Sequence, residues 1–480
     1  MTDKREIKAD ICIIGAGSAG LSTAYAAANL GLTTVLYEGA AMGGDCLNHG
    51  CVPSKALLAA AKAANDMRGT EKYGVTIDAE PKVDWAKVRA HVQGIIDHIA
   101  PVDSVERFES FGTIVISEFA RFIDGKTVES DTTRVRAKRF VIATGSTAFI
   151  PPIPGLKDVP YLTNHTIFTT PDFPEKLIVI GGGPIGIEMA QAFQRLGSQV
   201  TVIEMGRALA RSDEDHANAA LEALRGEGLS IMEHHKATKF SGSAGNITVH
   251  TESSDGHSHD VQGTHVLVAV GRRTFLDGLD IEKAGVTTER GSVVVKKNLQ
   301  SVSNKRVWAL GDANGKAQFT HVAGMHASIF TRAAIMGLPR VDANAEALPA
   351  VTYMQPEIAQ LGMTEAEARA EYGDKVKVGS FPFHENDRAI AEHKTDGEVK
   401  IIWMGKKILG ASILGESAGD LLQIVSVAMA NGLAPGGLIK HMSPYPTRAE
   451  AVKRAISGSE HFGGRFFSSK VIRRWVGLRH

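Results

Sequence analysis

"ADICIIGAGSAGLSTAYAAANLGLTTVLYE", Ala9 to Glu38, holds four pieces in a fixed order. An apolar run leads into glycines, then an alanine-rich stretch, then a second apolar run ending in an acid. Strand, turn, helix and strand make a βαβ unit. Gly15, Gly17 and Gly20 fit G-x-G-x-x-G. The first glycine allows the tight turn, the second lets a pyrophosphate approach the backbone, and the third lets helix close on strand. The helix start turns unpaired N–H groups toward phosphates. Glu38 ends the second strand, where a carboxylate accepts ribose hydroxyls. Strand, helix and terminal acid all accompany the glycines, so a dinucleotide site is expected rather than a bare turn.

The pattern recurs in "KLIVIGGGPIGIEMAQAFQRLGSQVTVIE", Lys176 to Glu204, with Gly181, Gly183, Gly186 and the closing acid Glu204. In both units the acid follows its first glycine by 23 residues. Two units imply two dinucleotides, and a flavin dinucleotide with a nicotinamide dinucleotide would form an electron relay. Glu204 favours NADH, because a carboxylate repels a 2′-phosphate. Nearby Arg207 leaves NADP open as the second choice.

The 480 residues are too many for one core and imply several domains. Formal net charge is zero, with 53 basic and 53 acidic residues, so neither nucleic acid nor an anionic membrane is an expected bulk partner. Fifty glycines suit an α/β chain with many tight turns. Three cysteines cannot build a secreted disulfide framework. "MTDKREIKAD" is charged and is not the pattern of a signal peptide, and no apolar run has the length of a membrane span. A cytoplasmic enzyme is expected.

Two of the three cysteines, Cys46 and Cys51, stand in "GGDCLNHGCVPSK", Gly43 to Lys55. A zinc site would need a second ligand pair at suitable spacing. A structural bridge would close only a tiny loop in a reducing compartment. A redox pair fits better: thiols in the first turn of a helix feel its positive end, and Lys55 adds positive charge. Cys12 sits inside an apolar strand and is expected to be a core residue. Metal binding is not expected of the histidines between His234 and His259.

This segment resembles the active-site stretch of the FAD-dependent pyridine nucleotide–disulfide oxidoreductases, which include dihydrolipoyl dehydrogenase, glutathione reductase and mercuric reductase. The resemblance extends over essentially the whole chain. "VIATGS" (Val141–Ser146) is similar to the family's exit from the FAD domain, and "VWALGDANG" (Val307–Gly315) to its second FAD segment. "VTYMQPEIAQLGMTEAEA" (Val351–Ala368) is similar to the opening of the dimerisation domain. The resemblance implies that Cys51 is the flavin-side thiol, that Cys46 exchanges with substrate, and that Lys55 pairs with Glu188 where the nicotinamide delivers hydride. It implies cofactor contacts at Gly15, Gly17, Gly20, Glu38, Gly44, Lys55, Thr144, Gly145, Gly181, Gly183, Gly186, Glu204, Gly271, Gly311 and Asp312, the last on the ribityl chain.

One segment departs from the pattern. The family carries H-P-T-x-x-E, whose histidine shuttles a proton to the leaving thiol from the partner subunit. Here "HMSPYPTRAEAVKRA" aligns Pro446, Thr447 and Glu450 and places Tyr445 at the histidine position, with His441 four residues earlier. A tyrosine, with a pKa near 10, is a poor base at neutral pH. Mercuric reductases carry a tyrosine here that helps hold the metal. The resemblance therefore implies either a dihydrolipoamide-type disulfide or dithiol substrate, or a metal-ion or quinone reductase using the dithiol as relay.

The expected fold is α/β: two Rossmann-like dinucleotide-binding domains plus an α+β C-terminal dimerisation domain. The FAD domain is expected over 1–150 and again over 274–344, the NAD(P) domain over 151–273 and the dimerisation domain over 345–480. A homodimer is implied, because Tyr445 and Glu450 reach the cysteines only from the other subunit. The basic end "GGRFFSSKVIRRWVGLRH", without an acid, is expected to be a solvated helix, with weak contact to an anionic surface as the second reading.

Overall fold

The computed structural model describes residues 4–77, 79–338 and 347–459. The basic end, 463–480, lies outside the described residues.

The first glycine unit folds as its pattern predicts. Strand Arg5–Ile14 feeds helix Ser18–Asn29, which returns to strand Thr34–Tyr37, paired parallel to the first. Ile11, Ile13, Leu36 and Cys12 are fully buried, as a parallel strand covered on both faces requires. Strand Thr133–Ile142 lies parallel on the other side of Arg5–Ile14. Much later Val307–Ala309 adds to the same sheet beside Thr133–Ile142, so the chain leaves this unit and comes back.

The second unit forms its own parallel sheet of four strands, ordered Ser230–Met232, Gln199–Ile203, Lys176–Ile180 and His265–Val268. Helix Pro184–Arg195 crosses between Lys176–Ile180 and Gln199–Ile203. Between departure and return, the chain pairs with itself: Ser146–Ala148 runs antiparallel to Arg272–Thr274. This short ribbon joins the two units.

The C-terminal part is a five-stranded antiparallel sheet, ordered Pro349–Thr352, Glu357–Gly362, Lys407–Gly415, Glu398–Met404 and Lys377–Pro382. One face packs helices Ala418–Ala430 and Glu450–Ser457 over an apolar core. Gln360, Ser412, Lys400 and Ser380 stand in register across four neighbouring strands. Lys400 is buried and holds Asp213 and Asp215 of the second dinucleotide unit, both at 2.9 Å. His216 Nδ1 meets Ser412 Oγ at 2.7 Å beside it. A polar seam thus joins the second dinucleotide-binding domain to the C-terminal sheet.

Candidate active site

The two glycine turns are superposable in their chemistry. Gly15 has φ +105°, and a Cβ there would lie 2.4 Å from Ala143 O; Gly181 has φ +108°, with the same atom 2.5 Å from Ala269 O. A side chain at Gly20 or Gly186 would strike the carbonyl of Gly15 or Gly181. Gly17 and Gly183, by contrast, face open space, with nothing nearer than 3.9 Å to a Cβ at Gly17. That is the division of labour expected of a phosphate-binding turn.

The closing acids act first on the protein. Glu38 accepts from Ala16 N at 2.7 Å and Ala40 N at 2.8 Å. Glu204 accepts from Gly182 N at 2.7 Å and Gly206 N at 2.8 Å. Besides the ribose contact expected of it, each carboxylate braces its glycine turn. Two carboxylate oxygens offer about four acceptor sites, so room for ribose hydroxyls remains.

Several features of the first unit fit a bound FAD. Gly44 comes so close to Gly17 that a Cβ would sit 2.7 Å from its Cα, which would close the gap over the turn. Thr144 Oγ1 is buried with no hydrogen-bond partner. Asp312 is half-buried and accepts from Ser146 Oγ; burial pushes its carboxyl up. Arg272 donates to Ser146 Oγ and O at 2.7 and 2.8 Å and pairs with Asp45 at 3.0 Å. Gly311 turns into this region and donates its N–H to His326 Nδ1 at 3.0 Å. Gly145 and Gly271 flank the joining ribbon, each with open space where a Cβ would stand.

The cysteines are placed on two helices, not together in one first turn. Cys46 lies in the short helix Gly44–Asn48, and Cys51 is the first residue of helix Cys51–Arg68. Both are free thiols. The Cys46 thiol hydrogen bond, Thr320 Oγ1 at 3.5 Å and the charge of Lys55 outweigh burial and lower the Cys51 pKa to about 6. The same contact, with burial, drives the Cys46 thiol up. The pair thus holds one proton on Cys46 and a thiolate on Cys51 at neutral pH. Cys12, fully buried, has its thiol pushed up by burial alone and is a core residue.

Lys55 and Glu188 meet at 2.8 Å although 133 positions apart. Glu188 is buried on helix Pro184–Arg195 of the second unit. Its other oxygen accepts from Tyr353 N at 2.9 Å, and the Tyr353 ring lies 4.4 Å from Lys55 Nζ. Tyr445 and Glu450 are engaged elsewhere in their own C-terminal domain: Tyr445 donates to Asp387 at 2.8 Å, and Glu450 pairs with Arg454 at 3.0 Å. Both nitrogens of His441 are occupied, by Leu438 O at 2.7 Å and Ser443 Oγ at 2.8 Å.

Sequence reasoning missed Thr320, Tyr353, Arg272 and the Asp45 cluster. Asp45 is held by Arg272 and by His165 at 3.2 Å, and the His165 hydrogen bond with the Arg272 charge keeps its carboxyl low despite burial. His165 stacks on His49 at 4.4 Å. Thr320 begins helix Thr320–Phe330, and that position was its only local signal.

The sequence profile described as "Pyridine nucleotide-disulphide oxidoreductase" matches residues 9–327, and that of the family's dimerisation domain matches 348–456. The chain is 35% identical over 455 residues to a mercuric reductase of Streptomyces lividans, covering 93% of this chain and 95% of that protein. It is 33% identical to dihydrolipoyl dehydrogenase 3 of Pseudomonas putida, covering 93% and 97%. It is similar to the solved HOCl-induced flavoprotein disulfide reductase RclA from Escherichia coli, with a TM-score of 0.83 and 27% identity over 93% of this chain and 99% of that one.

Proposed function

The chain belongs to the pyridine nucleotide–disulphide oxidoreductases, FAD-dependent enzymes with NAD(P)H as donor, and from that premise we propose an NADH-linked oxidoreductase whose Cys46–Cys51 pair reduces, or in reverse oxidises, a small disulfide/dithiol substrate of the lipoamide/dihydrolipoamide type. The observation that carries it is the free Cys46 and Cys51 thiols beside the Lys55–Glu188 ion pair at 2.8 Å, with Thr320 Oγ1 3.5 Å from Cys51 Sγ. When bound, FAD would take hydride from the nicotinamide and pass two electrons to the Cys46–Cys51 disulfide. Gly15, Gly17, Gly20, Glu38, Gly44, Thr144, Gly145, Gly311 and Asp312 would hold it, with Gly271 at the joining ribbon. Gly181, Gly183, Gly186 and Glu204 would hold NADH, and the brace of Glu204 on Gly182 favours NADH over NADPH.

Cys46 attacks one sulfur of the acceptor and expels the first thiol. Cys51 thiolate then attacks Cys46, restoring the disulfide and expelling the second. NADH, one proton and the disulfide become NAD⁺ and two thiols. Cys46 must give up its proton as it attacks, so a base is needed on the acceptor side.

One observation favours a second reading. Tyr445 donates to Asp387, and this contact raises its pKa further above neutrality. A group that keeps its proton suits a metal ion, which takes electrons with no proton to be supplied; a quinone, the other acceptor of this reading, would draw its two protons from solvent. We propose that the two readings share one assembly, a homodimer in which Tyr445 and Glu450 face the partner's cysteines. The unit limits 1–150, 151–273, 274–344 and 345–480 belong to the same proposal, supported by the ribbon at Ser146–Ala148 and Arg272–Thr274. A thiolate mechanism suits a reducing compartment such as the cytoplasm.

The test is NADH oxidation with lipoamide, glutathione disulfide, Hg²⁺ and a quinone, for native protein and Cys46→Ser. Lipoamide turnover that disappears in Cys46→Ser supports the first reading. Turnover of Hg²⁺ or quinone alone, still dependent on Cys46, supports the second. Activity indifferent to Cys46 defeats both.

A further inference from the structure

Helix Pro184–Arg195 turns one polar face inward, on residues spaced i, i+3 and i+7: Glu188, Gln191 and Arg195. All three are buried. Buried polar groups need partners, and here one adjoining element supplies a partner to all three. That element is the stretch Tyr353–Gln355, which leads into the C-terminal sheet. Tyr353 N donates to Glu188 at 2.9 Å. Gln191 pairs its carboxamide with both backbone groups of Gln355, accepting from N at 2.8 Å and donating to O at 2.6 Å. Arg195 donates to the Gln355 side chain and holds Glu227 at 2.6 and 2.8 Å.

A carboxamide is the one side-chain group that copies a peptide, with one donor and one acceptor side by side. At Gln191 it acts as a one-residue strand pair and leaves Gln355 a single position along the helix. That register sets Tyr353 two residues earlier. The Tyr353 amide then fixes Glu188, and its ring covers Lys55 at 4.4 Å. Tyr353 is 42% exposed, so it stands at the wall of the site and not in a core.

Granted an NADH-fed site at Lys55 and Glu188, as proposed above, we propose that Gln191 and Tyr353 are positioning residues for hydride delivery: Gln191 sets the register of Tyr353–Gln355, and Tyr353 holds the Lys55–Glu188 pair in place from the C-terminal domain. The C-terminal domain would then supply part of the nicotinamide-facing wall.

The experiment uses FAD-loaded native protein, Gln191→Met and Tyr353→Leu. Flavin reduction by NADH is followed by stopped flow. Reoxidation of chemically reduced enzyme is followed with a chromogenic aromatic disulfide. Amide hydrogen exchange of Tyr353 and Gln355 is measured on the same samples. Both variants are expected to slow reduction by NADH about 10- to 100-fold, the usual effect of misplacing a reacting group. Reoxidation should stay native, since Cys46 is untouched. Amide protection at Tyr353 and Gln355 should fall in Gln191→Met and persist in Tyr353→Leu. Native reduction rates in Tyr353→Leu, an exposed position that need not disturb folding, would overturn the proposal. So would an equal slowing of both half-reactions, which marks general destabilisation. If NADH fails to reduce even the native protein while both amides remain protected, the functional reading fails and takes the hydride role with it; protection lost in the native protein would refute the register itself.

Discussion

Cys51 Sγ lies 3.5 Å from Thr320 Oγ1, across 269 positions of the chain. The hydroxyl is one of the groups that favour the Cys51 thiolate. Thr320→Val keeps the shape and removes the donor. A hydrogen bond to a charged group contributes about 1.5–3 kcal/mol, so the Cys51 pKa should rise by about one unit or more from its value near 6. Thiolate absorbance against pH, read with Cys46→Ser as reference, checks it. An unmoved midpoint would remove Thr320 from the site.

Tyr445 should matter only where an acceptor meets Cys46. Tyr445→Phe should leave flavin reduction by NADH at the native rate. It should slow acceptor turnover by less than the about 10²–10⁴ expected of a catalytic acid–base. Tyr445→His should raise lipoamide reduction, most clearly in Arg454→Met, where Glu450 is released from its 3.0 Å partner to orient an imidazole. Stopped-flow of both half-reactions separates these effects. Slowing of flavin reduction by Tyr445→Phe would contradict the assignment.

Arg207 is engaged by Glu214, while its Nε is buried without a partner. Glu204→Ser with Glu214→Gln removes the repelling carboxylate and frees the guanidinium for a 2′-phosphate. The ratio of kcat/KM for NADPH over NADH should rise by at least about tenfold, one charge-assisted hydrogen bond's worth. Steady-state kinetics with both nucleotides decides it.

His326 is buried, and burial, then Lys316, lower its pKa to about 4. Its neutral Nδ1 accepts from Gly311 N. An unfolded histidine has a pKa near 6.5. As pH falls below that value the unfolded chain takes up a proton that the folded chain refuses, so stability drops between pH 6.5 and about 4 and levels off below. The loss is on the order of 3 kcal/mol. His326→Asn keeps an acceptor at that place and does not titrate, so its denaturation midpoint should be flatter over this window. Parallel curves for the two proteins would refute the role.

The sequence made the repeated parts legible because their cause is local. A turn that passes a carbonyl at 2.4 Å demands glycine whatever surrounds it, and so Gly15 and Gly181 declare themselves. The Cys46, Cys51 and Lys55 spacing is local too. Glu188 was legible only through the family resemblance, although its face with Gln191 and Arg195 shows the helical period. What covers that face did not show, because Tyr353 and Gln355 arrive from another domain and carry no pattern of their own. Thr320, Arg272 and His165 were invisible for the same reason. Single polar residues acquire meaning only from the neighbour that folding brings, and an extended strand with one helix start encodes none of it. The placing of both cysteines in one helical turn was too simple, because Gly50 and His49 separate two helices.

The Lys400 seam bears on how the molecule comes apart. A buried ammonium shared by Asp213 and Asp215 ties the second dinucleotide-binding domain to the C-terminal sheet with charges that cannot be exposed one at a time. Separating the surfaces would leave Lys400 only Glu365 at 3.5 Å and strand Asp213, itself buried, without its counter-ion. The two regions should therefore melt as one cooperative block. Lys400→Met should destabilise that block by about 3–5 kcal/mol, the cost of a buried charge left alone. In a calorimeter the transition should move down or split in two.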